Sequence, residues 1–363
     1  MKKILICKQE ITLTTTIFKK TLVIGLGLIG GSFAKACRQN NISEEIYAFD
    51  LDMDSIELAK KSNVIDDLFF LDDNLEDFDF IVLAIPLSFY NEVSKKISNK
   101  ISTNSVIIDL GSVKSLELNK ILPQNIRKNF IPCHPIAGSD KTGFENSDVN
   151  LFTEKKFIIC PENCNPDTVT KVKQTVERIG CIVEFLDAKK HDEIYALVSH
   201  LPQFLSFLTT EFSPKKINDD FFNTAFRLNN SDPQMWEDIF KINEKNLEIF
   251  YLKFFDNLEK NLLSLNNFSA LEKKKNLLNE FEIKEEKFDE NFFLENFPEI
   301  FFRNLVVISY LEIREIKEYL NYAGTGFKDF TSIIAILNFD DIKTKNLLAN
   351  NHKKITKIFR SIS

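Results

Sequence analysis

Two constellations in this 363-residue sequence combine residue types and spacings that can do chemistry. The first is Gly25-Leu26-Gly27-Leu28-Ile29-Gly30, directly after the β-branched run Thr21-Leu22-Val23-Ile24 and at the start of a helical period. Glycines placed this way allow a tight turn, a close approach of backbone to a pyrophosphate, and contact between helix and strand. The helix N-terminus then offers amides and the positive end of its dipole to phosphate. Asp50 ends the next strand, twenty residues beyond Gly30, where a carboxylate can accept a hydrogen bond from a ribose 2′-hydroxyl. The same charge repels a 2′-phosphate, so NAD rather than NADP is the expected cofactor. Its expected contacts are Gly25, Gly27, Leu28, Ile29, Gly30 and Asp50, with Pro86 at a later strand end. The second constellation is Cys133-His134-Pro135-Ile136-Ala137-Gly138-Ser139-Asp140, which follows the run Phe130-Ile131-Pro132. Oxidation of an alcohol needs a base of near-neutral pKa to take the hydroxyl proton as hydride leaves, and histidine suits that task.

Other chemistries are disfavoured. A calcium loop beginning at Asp50 would need glycine at its sixth position and glutamate at its twelfth, but Ser55 and Lys61 stand there. Asp52 and Asp54 are instead expected to cap the following helix. Cysteines 7, 37, 133, 160, 164 and 181 form no C-x-x-C pair, so neither a zinc site nor a disulfide framework is expected. A net charge of −7 argues against a nucleic-acid partner, which would require a basic face. No apolar run approaches a membrane span, and Met1–Cys7 is too short for a secretory signal. An intracellular, cytoplasmic protein is expected.

These residues need a sheet to hold them. Continuous apolar runs at 21–24, 45–49, 80–85, 105–109, 130–132, 157–159 and 181–185 alternate with helical periods near 28–39 and 54–62. That alternation predicts a mostly parallel sheet covered on both faces. Ligands of such a sheet bind beyond the carboxyl ends of its strands, where Pro86, Ser88, Gly111-Ser112-Val113-Lys114 and His134 fall. No glycine occurs between 181 and 323, so the second half reads as long helices, one of them kinked by Pro202. Residues 264–300 carry mixed charge with interleaved Phe281, Phe288, Phe292 and Phe293, a pattern that favours amphipathic helix over a disordered linker.

Together these segments resemble the prephenate dehydrogenase family, over about residues 20–260. The resemblance rests on the glycine turn through Gly31-Ser32, on Gly111-Ser112-Val113-Lys114, on His134 through Gly143, on Ser199-His200-Leu201-Pro202, and on Arg227 through Ile239 with Trp236. It implies oxidative decarboxylation, with hydride passing from C4 of the substrate ring to NAD, the ring carboxylate leaving as carbon dioxide, and the ring aromatising. By residue, it implies His134 as the catalytic histidine on the 4-hydroxyl and Ser112 as the serine that orients it. Arg227 would hold the ring carboxylate, a task suited to a planar two-donor fork; His200 would lie beside the substrate side chain and Asp140 at the pocket mouth. Read without the resemblance, Ser112 could be a helix cap, His200 a core histidine, and Arg227 a buried ion-pair partner. His191-Asp192 also fits the family pattern and reads as structural; His352 reads as surface.

The organisation expected is an N-terminal extension (1–19), an α/β Rossmann-type NAD-binding domain (20–187) and an all-helical substrate and dimerisation domain (188–363). A homodimer acting on a small molecule is expected, with no nucleic-acid or membrane partner and no C-terminal regulatory βαββαβ domain. The family's Gly-Phe-Arg-Asp-like segment before the arginine is replaced by Phe222-Asn223-Thr224-Ala225-Phe226, while Gly324 through Ser332 looks closer to it. This suggests a duplicated helical unit, 320–356 repeating 215–250, or entry of Lys328 or Ser332 into an active site. Prephenate and arogenate, which differ at the side-chain carbon, both remain open as substrates. A dehydrogenase of the β-hydroxyacid type is the competing class, although no catalytic-lysine motif surrounds Lys241 or Lys245.

Overall fold

In the computed structural model the described residues are 15–114, 123–139, 141–210, 227–263 and 297–331, with short pieces at 281, 285–286, 334–335, 350–351, 354–355 and 357. The chain divides into two units at Asp187–Ala188, with Val113 and Lys114 going with the second.

The first unit is built on strands β1 (Phe18–Ile24), β2 (Ser43–Phe49), β3 (Asp67–Leu68), β4 (Phe80–Leu83), β5 (Val106–Asp109) and β6 (Phe130–Ile131). They form one sheet in the order β3-β2-β1-β4-β5-β6, every pairing parallel. Leu22, Val23, Ile24, Ile81, Val82, Leu83, Ile107 and Ile108 are all 0% exposed, which explains why these strands read as unbroken apolar runs. The helix Leu28–Gln39 buries Phe33, Ala34, Ala36 and Cys37, and Phe33 packs edge-on against Phe152. Burying a side chain such as Phe33 is worth about 1.5–3 kcal/mol.

The strand series does not continue in a single sheet. β7 (Cys133–Pro135), β8 (Lys156–Ile159) and β9 (Ile182–Phe185) make a separate three-stranded sheet, β7 antiparallel to β8 and β8 parallel to β9. Pro132 marks the break: it has no N–H to extend the β6 ladder, and its carbonyl instead accepts from the Cys160 amide at 2.9 Å. His134 therefore stands on its own short strand, opposite Ile158, and not at the end of a main-sheet strand.

The second unit is mainly helical: Ala188–Tyr195, Leu201–Thr209, Pro233–Ile242, Glu244–Leu263, Phe297–Leu311, Ile316–Tyr319 and Thr325–Thr331. The expectation of helix alone needs one correction, a two-residue parallel pair of β10 (Glu285–Glu286) with β11 (Ile334–Ala335). Leu247, Phe250, Phe254 and Leu258 form the buried stripe of the long helix. It is bolted to Phe297–Leu311 by Asn261 Nδ2 donating to Ser309 Oγ at 2.9 Å and Asn257 Nδ2 donating to the Ser309 carbonyl at 3.1 Å. Pro202, the site of the expected kink, is the second residue of the helix Leu201–Thr209 and follows a π-helical segment, Ala196–His200. Most of 264–300 lies outside the described residues, as do 215–226 of the one suggested repeat and about half of the other, 320–356; Lys328 is exposed.

Candidate active site

The glycine turn sits where the strand order reverses, between β1 and β4, which is where ligands of such sheets bind. Each of its three glycines answers a different demand. Gly25 has φ +97°, and a Cβ there would lie 2.4 Å from the Ala84 carbonyl oxygen. A Cβ on Gly30 would lie 1.9 Å from the Gly25 carbonyl oxygen, so the helix can approach the strand only without a side chain. A Cβ on Gly27 would meet nothing within 4 Å; its constraint is space left open for a group outside the chain. Gly27 is also the N-cap of Leu28–Gln39, with no side-chain cap and no acid in the first turn. Leu28 and Ile29, half-buried, open that helix.

The β1–β2 register pairs Ile24 with Phe49, which brings Asp50 level with the turn. Asp50 Oδ2 accepts from the Leu26 amide at 2.5 Å and Oδ1 from the Asp52 amide at 2.8 Å, and the half-buried carboxylate keeps lone pairs for a diol. An open Gly27, an uncapped helix start and an acid at the next strand end fit a dinucleotide. Pro86 is exposed beyond the end of β4. Asp52 caps the helix Met53–Lys61, accepting from the Asp54 amide, and among the described residues no cluster of His, Cys, Asp and Glu could hold a metal.

Ser112 and His134 share a hidden anchor in Asp109, which is fully buried at the end of β5. Its Oδ2 accepts from Tyr90 Oη and from the Gly111 amide, both at 3.1 Å, and its Oδ1 accepts from the Cys133 amide at 3.0 Å. The carboxylate thus grips the residue before Ser112 and the residue before His134. Both site residues are half-buried. A side chain at Gly111 would meet Tyr90 Oη at 2.8 Å, so this glycine keeps the grip closed. Further along, Gly143 adopts φ +86°, and the loop after it is tied to the glycine-turn helix by Lys35 Nζ donating to the Ser147 carbonyl and the Asp148 amide donating to Ser32 Oγ.

In the second unit His200 is 1% exposed. Burial, with a smaller contribution from His191, pushes its pKa down to about 3. Asn243 Nδ2 donates to His200 Nδ1 at 3.0 Å and to the Asp192 carbonyl at 2.8 Å. A neutral imidazole that accepts at Nδ1 carries its proton on Nε2. Trp236 packs edge-on to the His200 ring. Gln203 Oε1 and Trp236 Nε1 are buried and have no hydrogen-bond partner among the described residues. His191 is structural by its contacts: its Nδ1 lies 2.8 Å from Asp192 Oδ1, which also accepts from the Lys114 amide. Burial and the Lys114 charge hold His191 well below its ordinary pKa.

The backbone of Arg227 opens a 3-10 turn, Arg227–Asn230. That turn is fixed to the His200-bearing helix by Gln203 Nε2 donating to the Leu228 carbonyl at 2.6 Å and by Ser206 Oγ bonding Asn229 Oδ1. Asp232 caps the next helix and Pro233 is its first residue, so part of the Ser231–Ile239 block is a helix start. Asp140, the Arg227 side chain, Ser332 and His352 lie outside the described residues. Asp109, Asn243 and Gln203 were not singled out from sequence; a buried acid closing a strand was the one available signal, and only for Asp109.

A parallel sheet of this order, a glycine turn at its switch point, an acid beside it and a following helical unit define a dinucleotide-binding fold with a separate helical domain. The family profile described as prephenate dehydrogenase, nucleotide-binding domain, matches residues 33–185, and that described as prephenate dehydrogenase, dimerization domain, matches 187–282. The chain belongs to the prephenate dehydrogenase family. Among solved structures, prephenate dehydrogenase from Aquifex aeolicus is similar with TM-score 0.63 and 30% identity, covering 72% of this chain and 99% of that one. The prephenate dehydrogenase from A. aeolicus in complex with hydroxyphenyl propionate and NAD+ is similar with TM-score 0.61 and 32% identity, covering 73% and 95%. A cyclohexadienyl dehydrogenase of Zymomonas mobilis is 28% identical over 240 residues, 62% of this chain and 80% of that protein. A prephenate dehydrogenase of Lactococcus lactis is 33% identical over 192 residues, so the chain matches about half (52%) of that relative's length. Among the described residues no helix is long and apolar enough to cross a membrane.

Proposed function

We propose that this protein catalyses the NAD-dependent oxidative decarboxylation of prephenate to 4-hydroxyphenylpyruvate, a step toward tyrosine. The observation that carries the reading is the Asp109 grip on the residues before Ser112 and His134, beside the open glycine turn and within a family whose members bear this activity in their names. The NAD-binding domain runs over 20–187 and the substrate and dimerisation domain over 188–363. Gly25, Gly27, Leu28, Ile29, Gly30 and Pro86 would hold NAD, and the Asp50 carboxylate would accept from a ribose hydroxyl. When bound, it supplies the hydride acceptor.

The residues of the chain do the rest. His134 accepts the proton of the substrate 4-hydroxyl, and Ser112 orients both partners. Arg227 holds the ring carboxylate until it leaves as carbon dioxide, and aromatisation of the ring drives that loss. His200 offers its Nε2–H to the substrate side chain, and Asp140 stands at the pocket mouth. The enzyme works in the cytoplasm as a homodimer, a reading supported by the dimerization profile over 187–282. A second substrate, arogenate, is favoured by one observation: the Zymomonas relative is named for the cyclohexadienyl ring and not for prephenate. The test is NADH formation by the purified protein with prephenate or arogenate, each with NAD or NADP. Turnover of prephenate with NAD supports the reading; turnover of arogenate alone changes the side-chain contacts and keeps the mechanism. NAD binding without turnover of either substrate overturns it.

A further inference from the structure

The π-helical segment Ala196–His200 is immediately followed by a helix whose second residue is Pro202. In an α-helix a carbonyl accepts from the amide four residues on, and in a π-helix from the amide five residues on. Pro202 has no N–H, so the chain must leave a carbonyl without a helical donor: Val198 in the α register, Leu197 in the π register. Leu197 is 0% exposed, and a buried carbonyl without a donor is costly. The missing donor comes from elsewhere. Tyr310 Oη, also fully buried, donates to the Leu197 carbonyl at 2.8 Å. Tyr310 is in turn held by the rings of Phe327 and Phe330 at 5.9 and 5.3 Å.

Which carbonyl receives an outside donor decides which register the segment takes, and so decides the helical phase at which His200 leaves it. Asn243 grips the imidazole at Nδ1; Tyr310 grips the backbone that carries it. We infer that Tyr310 is a positioning residue for His200, holding the π turn that aims the Nε2–H at the substrate. The inference rests on the reading that His200 meets the substrate. It assigns a role in the site to Phe297–Leu311 and Thr325–Thr331, helices beyond the 187–282 span that the dimerization profile matches.

The test uses the full chain. Tyr310→Phe removes one oxygen and keeps the ring packing. It is expected to raise the KM for prephenate about tenfold, the size of one buried hydrogen bond, with NAD affinity unchanged. Pro202→Ala supplies an amide N–H to this stretch, so the added effect of Tyr310→Phe in a Pro202→Ala background should fall to about twofold or less. A merely structural tyrosine would lower the melting temperature with KM unchanged and would show no coupling to Pro202, and that result overturns the inference. His200→Ala is the control. If it raises KM and Tyr310→Phe does not, the positioning role alone falls; if it leaves KM unchanged, the reading of His200 falls and takes the positioning role with it.

Discussion

Replacing His134 by Asn removes a proton acceptor from a half-buried position on β7 while keeping a polar side chain of similar reach. Loss of a general base costs about 10²- to 10⁴-fold in turnover, so kcat for His134→Asn should fall in that range while NAD affinity, measured by titration, stays unchanged. Unchanged kcat would remove His134 from the chemistry. His200 is put to a different use by its surroundings. Burial pushes its pKa down to about 3, so through neutral pH it acts as a fixed donor and contributes no ionisation to the pH–rate profile. Asn243→Asp reverses this: a carboxylate cannot donate to Nδ1, it attracts a proton to the imidazole, and it raises the His200 pKa. The variant should therefore show a new ionisation in kcat/KM above pH 4, with the neutral-pH value reduced. A profile identical to that of the parent enzyme would mean that Asn243 does not set the histidine's proton.

At the scale of elements, the carboxyl edge of the sheet is organised by a buried charge. Asp109 gathers Tyr90 Oη and the amides of Gly111 and Cys133. Asn at this position can accept on one side only and must turn an N–H₂ toward an N–H on the other, leaving a buried donor unmatched at about 1–3 kcal/mol. Asp109→Asn should lower the unfolding free energy by about that much. It should also lower kcat with NAD affinity preserved, and it should cost less in a His134→Asn background than alone, because part of its effect reaches the chemistry through His134. Full additivity would show that Asp109 holds the fold and not the site. The same elements show what was legible in the sequence. β1, β2, β4 and β5, the helix Leu28–Gln39 and the Gly25–Asp50 pairing are local patterns, set by burial on both sheet faces and by glycine geometry. The separate β7-β8-β9 sheet was not, because a proline between two apolar runs does not reveal that the second run changes partners. Asp109 read as the end of a strand. Asn243 and Tyr310 reach their partners across 43 and 113 residues of chain, a distance over which spacing carries no signal.

For the molecule as a whole, the helical unit holds two buried histidines kept neutral, which makes it sensitive to acid. In the unfolded chain a histidine titrates near 6.5, whereas His200 in place titrates at about 3 and His191 is likewise held well below its ordinary value by burial. Below pH 6.5 the unfolded state therefore binds protons that the folded state refuses, and unfolding is favoured. This contribution to stability is complete above pH 6.5 and is lost as pH falls toward 3, with His191 acting in the same direction. Urea unfolding monitored by the fluorescence of Trp236, the chain's only tryptophan and a neighbour of the His200 ring, reports on the helical unit. Its midpoint should drop markedly between pH 7.5 and pH 5. A Trp236 midpoint that stays constant over that range would mean the two imidazoles accept protons inside the fold. His200 would then be an ionisable group at working pH, and the Asn243 lock and the Tyr310 grip would have lost the neutral donor they are built to aim.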